Sequence, residues 1–177
     1  NRVFFLPYLM GERSPLNDTD ARGAFIGLSM DTTRADMVQA VLEGVAFALR
    51  DCIEVARNIG VNISKSMLCG GGAKSPLWRK ILANALDITL EIPASEGGPG
   101  YGAAMLAMVG CKEYTTVAEC AAKLIRPGEV ISPDPIIAAK YNERYDKFKK
   151  IYPALKGLFK ELKEQEKNNE RDLHKHS

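Results

Sequence analysis

A short strand that runs through three consecutive glycines into a helix constrains this chain more than any other feature. Residues 66–78 read Ser-Met-Leu-Cys-Gly-Gly-Gly-Ala-Lys-Ser-Pro-Leu-Trp, and their first part predicts a short buried strand. Three glycines leave residues 70–75, the glycine loop, open to close approach by a flat ligand or a phosphate. Ser75 and Pro76 are typical of a helix start, whose free amides attract anions. A tight turn without a ligand explains the glycines about equally well.

The segments around the glycine loop predict an α/β fold. Residues 76–86 repeat apolar side chains at helical spacing, and residues 87–93 alternate and contain β-branched residues, as a strand does. Strand, helix and strand together span about thirty residues, the size of a βαβ unit. Trp78 lies one turn beyond the loop, where core packing is favoured over a wall for a bound adenine.

The region before the glycine loop predicts two short strands, a polar loop and a long helix. The strands are expected within residues 2–9 and 23–28, and the loop between them is dense in turn-forming residues. Apolar steps of three and four predict a helix over residues 33–59, with a capping box at its start and a glycine after its end. Glu43 lies among apolar residues of this helix, where a structural salt bridge is favoured over a functional role.

The glycine-rich segment 96–110 has only a superficial likeness to a dinucleotide-binding fingerprint. Its glycines do not follow the G-x-G-x-x-G spacing after a strand of the usual length, so no Rossmann site is predicted. A helix from Pro99 to Gly110 is favoured instead. Its small residues would let its backbone press against a neighbour such as the glycine loop.

The C-terminal part of the chain is predicted to be mainly helical and to end in a disordered tail. A helix is expected at residues 116–124, an irregular connection at 126–135, and a long helix over residues 136–162 that Pro153 interrupts. An aromatic stripe on that long helix predicts docking against a core. Residues 161–177 are charged and lack an apolar pattern, so we expect them to be disordered.

Composition excludes several classes of function. The net charge is only +2, and no aromatic residues are interleaved with the basic ones near the C-terminus, so no nucleic-acid site is predicted. No apolar run approaches the ~18 residues of a membrane span. The four cysteines are Cys52, Cys69, Cys111 and Cys120. Because they form no Cys-x-x-Cys motif, we interpret them as reduced core thiols of a cytoplasmic protein. The tail residues Asp172, His174 and His176 lack the rigid scaffold of a metal site.

The order of motifs along the chain resembles the FGGY family of carbohydrate kinases, and among these the xylulose kinases. Residues 5–15, Phe-Leu-Pro-Tyr-Leu-Met-Gly-Glu-Arg-Ser-Pro, are similar to a family segment in which Leu-Pro-Tyr precedes Gly-Glu-Arg-x-Pro. Residues 21–28 continue that segment, and residues 41–51 resemble the family's long helix. Residues 70–78 resemble its adenosine motif, and residues 152–156 are similar to the C-terminal segment of xylulose kinases.

The resemblance implies an actin-like, ribonuclease H-like α/β fold, in which residues 1–160 form the C-terminal, ATP-binding half of a two-domain sugar kinase. It implies a glycine loop that faces the adenosine of ATP, through Gly71, Gly72, Ala73 and Ser75. Mg²⁺ and the phosphates would be held mainly by residues outside this chain. The implied reaction transfers the γ-phosphate of ATP to the 5-hydroxyl of D-xylulose, with an aspartate as general base.

Several parts of such an enzyme would precede Asn1, which is not an initiator methionine. They are the sugar-binding N-terminal domain, the catalytic aspartate and a second phosphate-binding segment. We therefore expect no catalytic residue and no catalysis in this chain alone, and we expect ATP, a ketose sugar and its own N-terminal domain as partners. A homodimer and the role of Glu12 and Arg13 stay open. The alternatives are an FGGY kinase for glycerol, gluconate or a deoxy-sugar, or a non-catalytic nucleotide-binding module.

Overall fold

The computed structural model describes residues 1–94 and 98–175. It divides into two compact units, the first formed by residues 1–62 with the chain from Ile136 onward and the second by residues 63–135. In chain order the elements are β1 (Phe4–Leu6), β2 (Ala24–Ile26), α1 (Arg34–Asn58), β3 (Lys65–Met67), α2 (Pro76–Leu86), β4 (Thr89–Pro93), α3 (Gly98–Gly110), α4 (Val117–Leu124), β5 (Pro127–Ile131), α5 (Pro135–Phe148) and α6 (Ile151–Lys175). The α/β class predicted from the sequence is therefore confirmed.

Helix α1 begins and ends where the sequence predicted. The Thr33 hydroxyl accepts a hydrogen bond from the Asp36 amide at 3.2 Å, and the Asp36 carboxylate accepts one from the Thr33 amide at 2.9 Å. These two bonds form the expected capping box. Gly60 follows the helix with φ +87°, a backbone conformation that favours glycine.

The core of the first unit forms around Phe47 of α1, which is fully buried. Its ring centroid lies 5.3 Å from that of Phe148, 5.8 Å from that of Tyr145 and 6.0 Å from that of Tyr141, all on α5. These separations suit edge-on and tilted aromatic packing. The aromatic stripe therefore docks α5 on α1, as its helical spacing predicted.

The polar loop between β1 and β2 is an ordered turn attached to α6. The backbones of Glu12 and Asp18 exchange two N–H···O bonds of 2.8 Å. The Tyr152 hydroxyl donates to the Asp18 carboxylate at 2.5 Å, and Lys163 pairs with Asp20. The backbone of Glu12 thus has a structural part in closing the loop, and two side chains of α6 fix the loop's far end.

The C-terminal helix differs from the sequence prediction at both ends. The helix was expected to be interrupted at Pro153, but the interruption lies earlier, between the end of α5 and the start of α6. Pro153 lies in the first turn of α6, where proline is tolerated. Helix α6 extends to Lys175, whereas residues 161–177 were expected to form a disordered tail. The segment beyond Gly157 is rich in Lys, Glu and Leu, which have high helix propensity, and it contains no further Gly or Pro. His176 and Ser177 lie outside the described residues.

The second unit contains a three-stranded sheet of order β3-β4-β5. β3 is parallel to β4, and β5 is antiparallel to β4 with Leu90 opposite Ile131. The expected irregular connection at residues 126–135 was wrong, because Val130 and Ile131 supply a β-branched run and the prolines fall at or beyond the strand ends. The expectation of a buried strand before the glycine loop was also wrong. β3 has three exposed residues, and it is one of the two edge strands of this sheet.

The cysteines also differ from their prediction. Cys120 is buried, whereas Cys52, Cys69 and Cys111 are exposed, and all four are free thiols. Sequence patterning placed them near apolar residues but did not resolve which helix face or loop side each occupies. Among the residues that the structure describes, no helix combines the length and hydropathy that a membrane span requires.

Candidate functional site

The glycine loop of the second unit is a tight turn followed directly by the capped start of α2. Gly70 has φ +90°, and Gly71–Lys74 form one turn of 3₁₀ helix in which the Ala73 amide donates to the Gly70 carbonyl at 3.0 Å. The Ser75 hydroxyl accepts from the Trp78 amide at 3.3 Å, with Pro76 at the first helical position. The predicted N-cap is thus confirmed.

Gly70 lines two neighbouring cavities. The first is mainly apolar and has a volume of about 470 Å³. Its walls are Met67, Cys69, Gly70, Pro93, Gly98, Pro99, Tyr101, Gly102, Met105 and Ile125. The second has a volume of about 480 Å³ and is more polar. Its walls are Leu68, Cys69, Gly70, Gly71, Ala73, Lys74, Arg79, Ile92, Pro93, Ala94 and Gly98. We call them the apolar cavity and the polar cavity.

The four loop residues predicted to face a nucleotide divide into two pairs. Gly71 and Ala73 line the polar cavity, and a Cβ atom on Gly71 would have no described neighbour within 4 Å. Gly72 instead lies against the indole of Trp78, since its added Cβ would be 3.1 Å from both Cδ1 and Nε1. Ser75 caps α2, and neither it nor Gly72 lines either cavity in the described part of the chain. Trp78 is therefore a half-buried packing residue against the loop.

Helix α3 spans the predicted residues but does not press its glycines on a neighbour. Cβ atoms built at Gly100 and Gly102 would contact nothing within 4 Å in the described structure. The helix is held on another side, where the Tyr101 hydroxyl donates to the Leu124 carbonyl at 3.0 Å. The small residues at the start of α3 therefore border the apolar cavity instead of closing it. Glu96 and Gly97, with which the predicted segment began, lie outside the described residues.

The polar cavity is suited to an anion or to a ligand with acceptor groups. Two cationic side chains, Lys74 and Arg79, line it, whereas its described lining residues include no carboxylate. Positive charge at a partly enclosed site raises the local concentration of anionic ligands. The glycines of the loop add backbone amides that no side chain shields from a ligand.

The residues predicted to face a nucleotide did not include the charged ones at this cavity, which are Lys74 and Arg79, nor the Arg79 partner Glu129. Arg79 of α2 donates through Nε to the Ala73 carbonyl and through Nη1 to Glu129 of β5 at 2.5 Å. Arg79 follows Trp78 and lies four residues after Ser75, so its side chain shares the loop's side of the helix. That spacing was the available signal for Arg79. Its partner Glu129 could not be predicted, because residues 126–135 were expected to be irregular and not to contain β5.

Metal binding finds no support in the described residues. Within residues 1–94 and 98–175, His, Cys, Asp and Glu side chains form no group of three or more that could hold an ion.

The first unit has a separate cavity of about 290 Å³, at which a half-buried carboxylate meets two tyrosines. The Asp51 carboxylate accepts from Tyr145 at 2.6 Å and from Tyr8 at 3.4 Å. Burial raises the pKa of Asp51 above its ordinary value, although both hydrogen bonds act in the opposite direction. Burial and the nearby Asp51 also raise the pKa values of Tyr8 and Tyr145.

We expect Asp51→Asn to change how stability depends on pH. A raised pKa means that the folded chain keeps this proton at pH values where the unfolded chain has released it. The carboxyl therefore stabilises the fold most below its unfolded pKa of about 4, and that contribution falls as the pH rises through the folded value. The free energy of unfolding of wild type minus that of Asp51→Asn should fall as the pH rises above about 4, the unfolded pKa of an aspartate. Urea titrations at several pH values measure this difference.

Asp146→Asn is a control of opposite sign. The hydrogen bond from Lys149 lowers the pKa of Asp146, so its contribution is present above the unfolded pKa and is lost as the pH falls. A pH-independent difference for Asp51→Asn would contradict the assignment of a raised pKa to Asp51.

Comparison with known proteins identifies similar chains. Residues 1–111 match the family described as the FGGY family of carbohydrate kinases, C-terminal domain. A xylulose kinase of Staphylococcus xylosus is 36% identical over 152 residues, which are 86% of this chain and 32% of that protein. The chain thus spans about a third of the length of the curated relatives that it matches, 32% in this case.

Solved structures give the same result. The xylulose kinase from Rhodospirillum rubrum superposes with a TM-score of 0.76 and 34% identity, over 89% of this chain and 31% of that one. The gluconate kinase from Lactobacillus acidophilus superposes with a TM-score of 0.83 and 27% identity, over 91% of this chain and 32% of that one. Kinases named for two different substrates, xylulose and gluconate, therefore share this fold.

Proposed function

Because the chain belongs to the FGGY family of carbohydrate kinases, as part of its C-terminal domain, we propose that its glycine loop binds the adenosine part of ATP. The observation that carries the proposal is that Gly71 and Ala73 line a cavity beside the helix start capped by Ser75. In this proposal Gly71 and Ala73 contact the nucleotide. Gly72 and Ser75 shape the loop, one by fitting against Trp78 and the other by capping α2.

The two cavities differ in a way that suits the two ends of a nucleotide. Met67, Tyr101 and Met105 offer apolar surface to a flat base, and a volume of about 470 Å³ lies in the range of small-molecule sites. The polar cavity offers Lys74 and the loop amides to the ribose and the first phosphate. We expect the remaining phosphates and Mg²⁺ to be held mainly by residues outside this chain.

We further propose that the longer protein transfers the γ-phosphate of ATP to the 5-hydroxyl of D-xylulose. Phosphoryl transfer depends mainly on positioning and on charge stabilisation, so the nucleotide side and the sugar side must both contribute. This chain would supply the nucleotide side. The general base and the sugar contacts would come from the part of the protein outside it, and the chain alone would not catalyse.

The sugar in this proposal is taken from the names of the relatives. Curated relatives named xylulose kinase support D-xylulose as the substrate, whereas the similarity to a gluconate kinase structure supports gluconate as the alternative. A panel of D-xylulose, gluconate, glycerol and deoxy-sugars, assayed on the longer protein, separates these alternatives. Nucleotide binding without phosphorylation of any of them would favour a non-catalytic nucleotide-binding module.

A pair of glycine substitutions tests the nucleotide site. Gly71→Val places a side chain at a lining position that is open, and we expect it to weaken ATP binding about tenfold or more, because it competes for ligand space. Gly72→Val should also weaken ATP binding, because the new side chain must displace the Trp78 indole and with it the loop. Isothermal titration with ATP measures both, and steady-state kinetics of the longer protein compare the KM values for ATP and sugar.

Gly110→Val is the matched control, since it adds the same bulk at the end of α3, where a Cβ would meet no described atom within 4 Å. Its ATP affinity should equal that of wild type. A Gly71→Val protein with unchanged ATP affinity, or one in which the KM values for ATP and sugar rise equally, would count against this site.

A further inference from the structure

Arg79 joins the glycine loop to strand β5. Its side chain is 17% exposed and extends from the second turn of α2. Nε donates to the carbonyl oxygen of Ala73 in the loop, and Nη1 donates to Oε2 of Glu129 at 2.5 Å. One guanidinium therefore contacts the loop and the sheet at the same time.

The glycine loop is a tight turn with backbone bonds of its own. The Ala73 amide donates to the Gly70 carbonyl at 3.0 Å, and the Ser75 amide donates to the Gly72 carbonyl at 3.2 Å. Glycine loses more conformational freedom on ordering than any other residue, so three in succession make the ordered loop costly to maintain. A hydrogen bond from a charged donor is stronger than a neutral one, and the bond from Arg79 falls on the Ala73 carbonyl, inside the loop.

Glu129 gives Arg79 a second fixed point. Its carboxylate belongs to β5, which pairs with β4 next to the polar cavity. Arginine presents its donors in a rigid planar fork, so an acceptor on one nitrogen fixes the direction of the others. Glu129 itself is 60% exposed at its side chain, and its ion pair alone would contribute little to stability.

We propose that Arg79, anchored by Glu129, is a positioning residue that holds the glycine loop in the geometry that receives ATP. The inference rests on the proposed nucleotide site and deepens it. Glu129 acts only through Arg79, whereas Arg79 acts directly on the loop. Loss of Arg79 should therefore weaken ATP binding more than loss of Glu129.

The test combines ATP affinity with the fluorescence of Trp78, which is the only tryptophan of the chain and lies against Gly72. A loosened loop exposes the indole, so acrylamide should quench it more strongly. We expect Arg79→Gln to weaken ATP binding about tenfold and Glu129→Gln about threefold, with increased quenching in both. The double variant should be no weaker than Arg79→Gln alone, and Arg79→Lys should fall between wild type and Arg79→Gln.

Glu91→Gln is the matched control. It breaks an ion pair of the same sheet, that of Glu91 with Lys65 at 2.6 Å, and Glu91 lines neither cavity in the described residues. Neither ATP affinity nor quenching should change in this variant. The same response in Glu91→Gln as in Glu129→Gln would overturn the inference, because it would make the effect a general one on the sheet.

The outcomes separate the inference from the function on which it rests. Normal ATP affinity and normal quenching in Arg79→Gln would overturn the positioning role while leaving the proposed site intact. Additive losses in the double variant would overturn the claim that Glu129 acts through Arg79. Failure of wild type to bind ATP would overturn the proposed function and the role in ATP binding, and the quenching series would then show only whether Arg79 orders the loop.

Discussion

Gly44→Ala should destabilise the first unit by at least about 2 kcal/mol, although alanine is the better helix former. A Cβ atom at this position of α1 would lie 2.1 Å from the carbonyl oxygen of Phe5 and 3.1 Å from its carbonyl carbon. Both are backbone atoms of β1, so no side-chain rotation relieves the clash. Alanine gains about 1 kcal/mol of helix propensity, and we set the overpacking cost at roughly 3 kcal/mol or more. Urea unfolding followed by circular dichroism at 222 nm measures the net loss.

Gly157→Ala makes the same chemical change in α6 and should have the opposite effect. A Cβ at Gly157 would contact no described atom within 4 Å, so only the helix propensity changes, and we expect a gain of up to about 1 kcal/mol. Opposite signs for the two variants would isolate the approach of α1 to β1 as the cause. A Gly44→Ala protein as stable as wild type would mean that α1 and β1 do not approach as closely as the structure shows.

The contrast between these two glycines shows what sequence patterns can and cannot predict. Apolar spacing and capping residues predicted α1 and α2 to within about a residue, because both signals are local to the helix. The contact of Gly44 with Phe5 joins residues 39 positions apart, and no periodicity in either segment encodes it. The missed strand β5 has the same origin, since its pairing with β4 and not its own short apolar run makes it a strand.

The candidate site was predictable to a similar degree. Three glycines followed by Ser-Pro located the loop and the start of α2. The division between Gly71, which lines a cavity, and Gly72, which fits against Trp78, depends on where the indole packs, and sequence spacing does not give that. Arg79 and Glu129 lie 50 residues apart, so their pairing required the sheet to be known first.

Glu43→Ala should cost the first unit about 3 kcal/mol, because it removes the carboxylate from a buried ion pair. Glu43 is 2% exposed, and its Oε2 accepts from Arg144 at 2.5 Å while its Oε1 accepts from Gln39 at 2.7 Å. Breaking a buried pair by removing one partner costs roughly 3–5 kcal/mol, and the low end applies here since the Arg144 side chain is 19% exposed. Urea unfolding of Glu43→Ala measures the loss. The structure thus confirms the salt bridge that the sequence favoured over a functional role for Glu43.

A double-mutant cycle decides whether the cost lies in the pair or in the site. Arg144→Met removes the charge but keeps much of the apolar stem that lies over the Phe4 ring, 4.5 Å from its centroid. The double variant Glu43→Ala with Arg144→Met leaves no unpaired buried charge, so it should lose at least about 1 kcal/mol less than the sum of the single losses. Glu43→Gln retains shape and an acceptor and should cost less than Glu43→Ala. Strictly additive losses would mean that Arg144 does not depend on Glu43, and the destabilisation would then have to come from the cavity that alanine leaves in the packing of α1.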